Sequence, residues 1–395
     1  MHPERTGCVV HSGVRGWGRA RLASPPEAGP RPSRPTGGAP LPRRTTCLDD
    51  RGGMADPDPL TVPLLFAATH GAQSHEARAL RRAVAAGAVV RVRRGVFTTA
   101  PVWGALDARG RLVVRTRAVV LGSARVVASH GSAVALHDLP AVRQAADRVS
   151  VVDPGRTTTK VTPTLRTRPG PLRDEEVVAL SGVRVTGLER TAVDVARTAP
   201  FADAVMCVDA VLRRLVLPRG HRTGVEVDAE LDRHRARLVT AVGEGHGPGQ
   251  VAARRAIAFA SPWAENGGES LVRVVLHELG VPAPELQREF VVASGTARCD
   301  FYDPSRLAVF EFDGFAKYAD AALRGGRTPA EVVRDEKRRE AELLERPDVR
   351  TVVRVEYRDV VDPRRLARLL GRAGVPVDPR RVTAAARAAR LRFAA

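Results

Sequence analysis

Five ionisable residues near the end of the chain have types and spacing that could do chemistry: Glu269, Asp300, Glu311, Asp313 and Lys317. In a strand, alternate residues share a face, so Glu311 and Asp313 point one way while Phe310 and Phe312 point the other. Asp300 lies between the apolar residues Cys299 and Phe301. Acids at these positions break the apolar pattern of Phe-Tyr and Leu-Ala-Val-Phe. Clustered like charges repel and are costly to desolvate, so a cation is needed to hold them together. Hard oxygen donors at this density suit Mg²⁺ or Mn²⁺, which polarise phosphoryl oxygens and lower the pKa of bound water. The expected metal ligands are Asp300, Glu311 and Glu269. Asp313 assists them, and Lys317 orients water or neutralises a phosphate. Two simpler readings stay open: Glu269 as a favourable anion in a first helical turn, and Lys317 as a solvated loop lysine.

The elements that must position these residues run from Glu269 to Tyr357. Leu271, Val272, Val275, Leu276 and Leu279 fit one helix face, which Gly280 and Pro282 close. Strands are predicted at Gln287–Ala293, Ala297–Tyr302 and Leu307–Asp313, joined by Ser-Gly-Thr and Asp-Pro-Ser-Arg turns. A charged helix over Thr328–Arg346, a strand over Val349–Tyr357 and a helix from Pro363 follow. The order is αβββαβ with a final helix. The run Lys337-Arg338-Arg339 reads as a solvated face beside Glu336 and Glu340, with Lys337 and Arg338 as candidate nucleic-acid contacts.

This order, with Glu269, Asp300 and Glu311-Phe312-Asp313-Gly314, resembles the PD-(D/E)XK nuclease superfamily, most closely its very-short-patch-repair (Vsr)-like branch. Lys317-Tyr318, Glu336-Lys337-Arg338-Arg339-Glu340 and Val353-Arg354-Val355 add to the likeness, which covers about the last third of the chain. The resemblance implies a restriction-endonuclease-like fold and Mg²⁺- or Mn²⁺-dependent phosphodiester hydrolysis. It departs from the pattern at one point. The superfamily's usual lysine two residues beyond the strand acid is here Asp313, and Lys317 is the candidate replacement.

The chain has 395 residues, a net charge of +19 and a pI near 11.2. Its length implies two or three domains, and its charge implies a polyanionic partner, nucleic acid first. Four cysteines without zinc spacing fit a reducing, cytoplasmic setting, and no apolar run is long enough for a membrane span. Residues 1–53 are rich in Pro, Gly and Arg and read as a disordered extension or a mis-called start, with translation beginning at Met54.

Residues 54–104 read as a small DNA-binding unit. A helix is predicted at Leu60–Thr69, and a second opens at Ser74 with Ala77, Leu80 and Val84 facing inward and Arg78, Arg81 and Arg82 outward. The stretch Val89–Phe97 alternates like a hairpin carrying Arg91, Arg93 and Arg94. Together these residues resemble the winged helix-turn-helix of AbiEi-type antitoxins, which implies DNA and a cognate toxin as partners. Residues 105–245 form an expected α+β middle domain, with His130 and His137 in core or capping roles. Asp194 and Asp209 sit in apolar helices there, without visible partners. The Gly-rich cluster 243–249 is the expected boundary before a nuclease-like domain over 255–375. A basic tail, 376–395, grips nucleic acid or frays. The expected fold class is multi-domain α/β. The expected function is a metal-dependent DNA endonuclease, with a non-enzymatic transcriptional regulator as the alternative.

Overall fold

The structure, a computed structural model, describes residues 57–67, 74–142, 148–218, 220, 224–243, 247–313 and 329–393. The chain divides into two units, Met1–Ala55 and Asp56–Ala395, of which the first lies outside the described residues. The second is mixed α/β with three sheets.

The expected helix at Leu60–Thr69 does not form over the part of it that is described. A turn at Asp58–Thr61 leads into a short strand β1 (Leu65–Phe66), whose Leu65 pairs with Phe97. Pro63 explains the outcome: it lacks an N–H and biases Val62 away from helical angles. Helix α1 (His75–Ala85) starts on Ser74, whose hydroxyl accepts from the Ala77 amide at 3.1 Å. None of its residues is buried, and Val84 is exposed rather than facing inward. β2 (Val89–Arg93) and β3 (Val96–Thr99) close a hairpin at Arg94-Gly95, where Gly95 takes φ +75°, and the small sheet runs β1-β3-β2. Helices α2 (Ala100–Ala105) and α3 (Ala108–Leu121) follow. Buried Arg117 of α3 donates to the Pro59 and Val62 carbonyls at 3.0 and 2.7 Å, which fixes the chain before β1.

A six-stranded sheet occupies the middle. Its strands are β4 (Val127–Ala128), β5 (Val149–Val152), β6 (Lys160–Val161), β7 (Leu165–Arg168), β8 (Val177–Leu180) and β9 (Val183–Thr186), in the order β6-β7-β5-β4-β9-β8. Helix α4 (His130–Leu136) follows β4. His130 is buried at φ +51°, and burial, then Arg168, Arg190 and Arg166, pushes its imidazole down to about 3. The His137 ring bonds the Thr186 carbonyl at 2.7 Å. Asp194 has a partner after all: Arg190 donates to it at 3.0 Å.

Helices α5 (Leu188–Thr198), α6 (Phe201–Val216), α7 (Val225–Val242) and α8 (Gln250–Phe259) then lead to α9 (Gly267–Leu279). A mixed four-stranded sheet comes next, in the order β10 (Glu285–Val292), β11 (Gly295–Asp303), β12 (Ala308–Asp313) and β13 (Thr351–Glu356). Its first two pairings are antiparallel and the last is parallel. Helix α10 (Pro329–Leu344) precedes β13, and α11 (Tyr357–Val361), α12 (Pro363–Arg372) and α13 (Pro379–Phe393) end the chain. The basic tail is docked by α13: Ala385, Ala386 and Ala389 are buried, and Arg392 bonds Glu278.

One hydrophobic core joins side chains from both sides of the Gly-rich cluster 243–249. Val205, Leu212 and Leu238 share it with Val272, Phe301, Phe310 and Leu370. Across the same junction, Asp209 of α6 accepts from Arg273 of α9 at 2.7 Å and from the Ser261 amide at 2.7 Å. Burial raises the Asp209 carboxyl, against the pull of Arg273. Removing one member of a buried pair leaves an unpaired charge. Arg273→Met therefore destabilises the protein by about 3–5 kcal/mol at neutral pH, and the Asp209→Asn/Arg273→Met double variant recovers part of the loss. Urea unfolding checks this, and an Arg273→Met midpoint equal to wild type contradicts it.

Candidate functional site

The N-terminus of α9 is built for close approach. A Cβ on Gly268 would lie 2.1 Å from the Phe312 ring of β12, and one on Gly267 would lie 2.6 Å from Pro140. The two glycines of Asn-Gly-Gly-Glu-Ser thus let the helix end rest on the sheet and on the chain after α4. The Asn266 side chain caps the helix by accepting from the Glu269 amide at 3.0 Å. Glu269 is 3% exposed. Its carboxylate accepts from the Glu265 amide at 2.7 Å, from Asn266 Nδ2 at 2.5 Å and from Gln287 Nε2 at 3.2 Å. This arrangement resembles a reciprocal cap. Burial, then the charge of Asp300, nevertheless raises the Glu269 carboxyl to about 8.

Gln287 and Asp300 reach this position through a slip in strand alternation. The β10–β11 ladder pairs Leu286 with Phe301 and Arg288 with Cys299, and it passes over the rung between. Leu286 and Phe301 pack in the core on the α9 side, whereas Phe290, Cys299 and Tyr302 belong to the cluster on the α10 side. Gln287 takes φ +55°, which turns its amide toward Glu269. Asp300 Oδ2 accepts from the Phe312 amide at 2.8 Å, just beyond the last β11–β12 pair, Phe301 with Phe310. A carboxylate here takes the place of a backbone acceptor in the seam between the two strands.

Glu311 and Asp313 face α10 instead. Glu311 Oε1 receives Arg339 Nη2 at 2.5 Å, and the same nitrogen donates to the Arg298 carbonyl at 2.7 Å. Arg354, the register partner of Glu311 on β13, reaches three carboxylates. It donates to Glu340 at 3.1 Å and to Asp313 and Glu336 at 3.4 Å each. Burial lowers the Arg354 pKa, but Glu340, Glu311 and Asp313 outweigh it and hold the guanidinium above its ordinary value. A hollow of about 430 Å³ lies over this group, lined by Asp313, Glu336, Lys337, Glu340, Ala341, Leu344 and Arg354.

The structure therefore sets Asp300 within electrostatic reach of Glu269, and brings Glu311 and Asp313 to two arginines. Among the described residues, no group of three or more His, Cys, Asp and Glu is arranged to hold a metal ion. Both Glu269 oxygens already accept amide hydrogens, and a guanidinium holds Glu311. Lys317 lies outside the described residues.

The expected nucleic-acid contacts divide by helix period and hairpin geometry. Arg78, Arg81 and Arg82 are exposed on α1, and Arg91 and Arg94 are exposed on the hairpin. Arg93 also supports the fold, donating to the Ala118 carbonyl at 3.2 Å. On α10, Lys337 and Arg338 are exposed, with Arg338 bonded to Asp335 at 3.2 Å, and Arg339 turns inward to Glu311. Sequence reasoning missed Gln287, Arg339 and Arg354 as partners of the acids. Arg354 carried a usable signal, a lone cation in Val-Val-Arg-Val that alignment beside Glu311 would have matched. Gln287 carried none, because its role depends on a left-handed backbone angle.

No family model matches the chain. Two proteins of Mycobacterium tuberculosis are each 30% identical to it over 253 residues, which span 64% of this chain and 80% of theirs. They are the uncharacterized proteins MT2308, from strain CDC 1551 / Oshkosh, and Rv2248, from strain ATCC 25618 / H37Rv. The chain belongs to the family of these two proteins. The crystal structure of the RV2827C protein from the same species covers 47% of this chain and 70% of its own, at 17% identity and a TM-score of 0.27.

The Glu269 geometry sets a pH dependence. Its folded-state pKa of about 8 exceeds the ordinary 4.5, so the folded state binds the extra proton between those values. Stability from this group is complete below 4.5 and is lost as pH rises through about 8. Glu269→Gln should flatten this decline in denaturant midpoints across the same window. A variant whose midpoints decline as steeply as wild type would show that Glu269 is not the group responsible.

Proposed function

We propose that this protein is a non-enzymatic DNA-binding regulator of the AbiEi antitoxin kind. In this reading residues 267–361 keep the αβββαβ order of a restriction-endonuclease-like domain as a scaffold. The reading is carried by one observation: guanidinium groups hold the strand acids, Arg339 on Glu311 and Arg354 on Asp313. A fixed internal cation neutralises such acids as a bound divalent ion would, but it brings no exchangeable water to a phosphodiester. The exposed arginines of α1 and of the β2–β3 hairpin supply phosphate contacts in a cytoplasmic setting, and a cognate toxin belongs to the same reading.

A second reading, a Mg²⁺- or Mn²⁺-dependent endonuclease, is favoured by Asp300 standing close enough to buried Glu269 to raise its pKa. Two like charges that act on each other favour a cation. In that reading Asp300, Glu311 and Glu269 would hold the metal, with Asp313 and Lys317 assisting.

Two measurements separate and test these readings. Anisotropy titrations of a labelled DNA duplex across salt concentrations should give a steep slope. Changing Arg91 and Arg94 together to Ala should lower that slope by about 2, because each phosphate contact contributes about 0.9. Neither wild type nor Asp300→Ala should nick supercoiled DNA with Mg²⁺ or Mn²⁺. Cleavage by wild type that Asp300→Ala abolishes would replace the regulator with the nuclease, and salt-insensitive binding would remove the DNA partner.

A further inference from the structure

Several arginines in the last part of the chain are committed within the fold. Arg339, Arg346, Arg354, Arg358, Arg365 and Arg392 all pair with acids. Helix α12 carries three that are not. Asp362 caps it, accepting from the Arg364 amide at 3.1 Å, and Pro363 opens its first turn. Leu366 and Leu370 bury one face completely. Arg364, Arg368 and Arg372 stand on the other face, exposed, and their side chains enter no ion pair or hydrogen bond among the described residues. Residues four apart share a helix face and rise about 6 Å per step, so the three charges form a line about 12 Å long. Arg350, also exposed, extends the line: its Nη2 stands 3.2 Å from where a Cβ on Gly374 would lie, just past the end of α12.

Within the chain only Arg372 is placed to gain, as a cation in the last turn of the helix. Like charges at this spacing are mildly destabilising in isolation. A polyanion with regularly repeated charge compensates that repulsion, and the nucleic-acid backbone carries such a repeat. We propose that the α12 face, Arg364, Arg368 and Arg372 with Arg350 at its end, is a second phosphate-binding surface for DNA, separate from the hairpin arginines. This rests on the DNA-binding reading above and assigns it a second point of contact. A further contact surface away from α1 and the hairpin helps to fix the chain's orientation on the duplex.

The test uses the full chain and a fluorescein-labelled DNA duplex, with affinity read by anisotropy over a range of salt concentrations. Arg364, Arg368 and Arg372 changed together to Gln should lower the magnitude of the log-affinity against log-salt slope by about 3, from the loss of about 0.9 per phosphate. The same positions changed to Lys should keep most of the slope, and an unaltered thermal midpoint shows that each variant is folded. Arg365→Gln is an internal control. It sits on the same helix but pairs with Asp359 at 3.2 Å, so its slope should equal wild type. If wild type binds DNA and the triple Gln variant keeps the wild-type slope, the α12 surface is overturned while the hairpin reading stands. If wild type binds no duplex, the DNA-binding reading falls and the surface with it. Loss of binding to phosphatidylserine vesicles with no change in the DNA slope would assign the stripe to a membrane and also overturn the proposal.

Discussion

Carboxylates on the central strand of the last sheet need countercharge, and the chain supplies it from its own arginines. Arg354 lies beside Glu311 in the parallel β12–β13 ladder and spreads its donors over Asp313, Glu336 and Glu340. Arg339 comes from α10, between the two strands in sequence, and binds Glu311 together with a carbonyl of β11. These contacts tie α10, β11, β12 and β13 into one charged layer. Below it, Phe301, Phe310 and Phe312 press against α9 in the apolar layer. A long-range parallel pairing such as β12–β13 is held on both faces by such partners, since parallel sheets are stable when covered on both sides.

The other face depends on a different compromise. Gly267 and Gly268 let α9 touch Pro140 and Phe312, and this close contact buries the first-turn carboxylate Glu269. Amide donors from Glu265, Asn266 and Gln287 favour its ionised form, while burial and Asp300 oppose it. The balance comes out on the protonated side of neutrality. Helix capping and charge burial therefore compete at the position where the sequence resembles a nuclease acid.

Much of this architecture is legible in the sequence, for physical reasons that differ by element. Alternation of apolar and polar residues finds the strands to within a few positions: Gln287–Ala293 is expected where Glu285–Val292 forms, and Leu307–Asp313 where Ala308–Asp313 forms. The cap at Ser74 and the stop at Gly280 follow from residue chemistry alone. Three features escape such reasoning. Pro63 breaks the helix that the apolar run at Leu60–Thr69 would otherwise favour. The Gly-rich cluster 243–249 reads as a domain boundary, yet α6 and α9 share a core and a buried ion pair across it, because a turn signal says nothing about what packs beyond the turn. The strand acids read as one cluster because periodicity assigns faces only while alternation holds. The slip at Gln287 and Asp300 leaves Asp300 on the Phe312 amide, while Glu311 and Asp313 meet the arginines on the α10 side.

In the reading proposed above, Arg339 and Arg354 take the place of a divalent ion beside Glu311 and Asp313. Direct titration of Mn²⁺ into the purified full chain, read by the paramagnetic resonance signal of the free ion, tests this. Wild type should withdraw no Mn²⁺ into a tight site. One Mn²⁺ bound per wild-type chain, and released when Asp300 or Glu311 is changed to Ala, would contradict it.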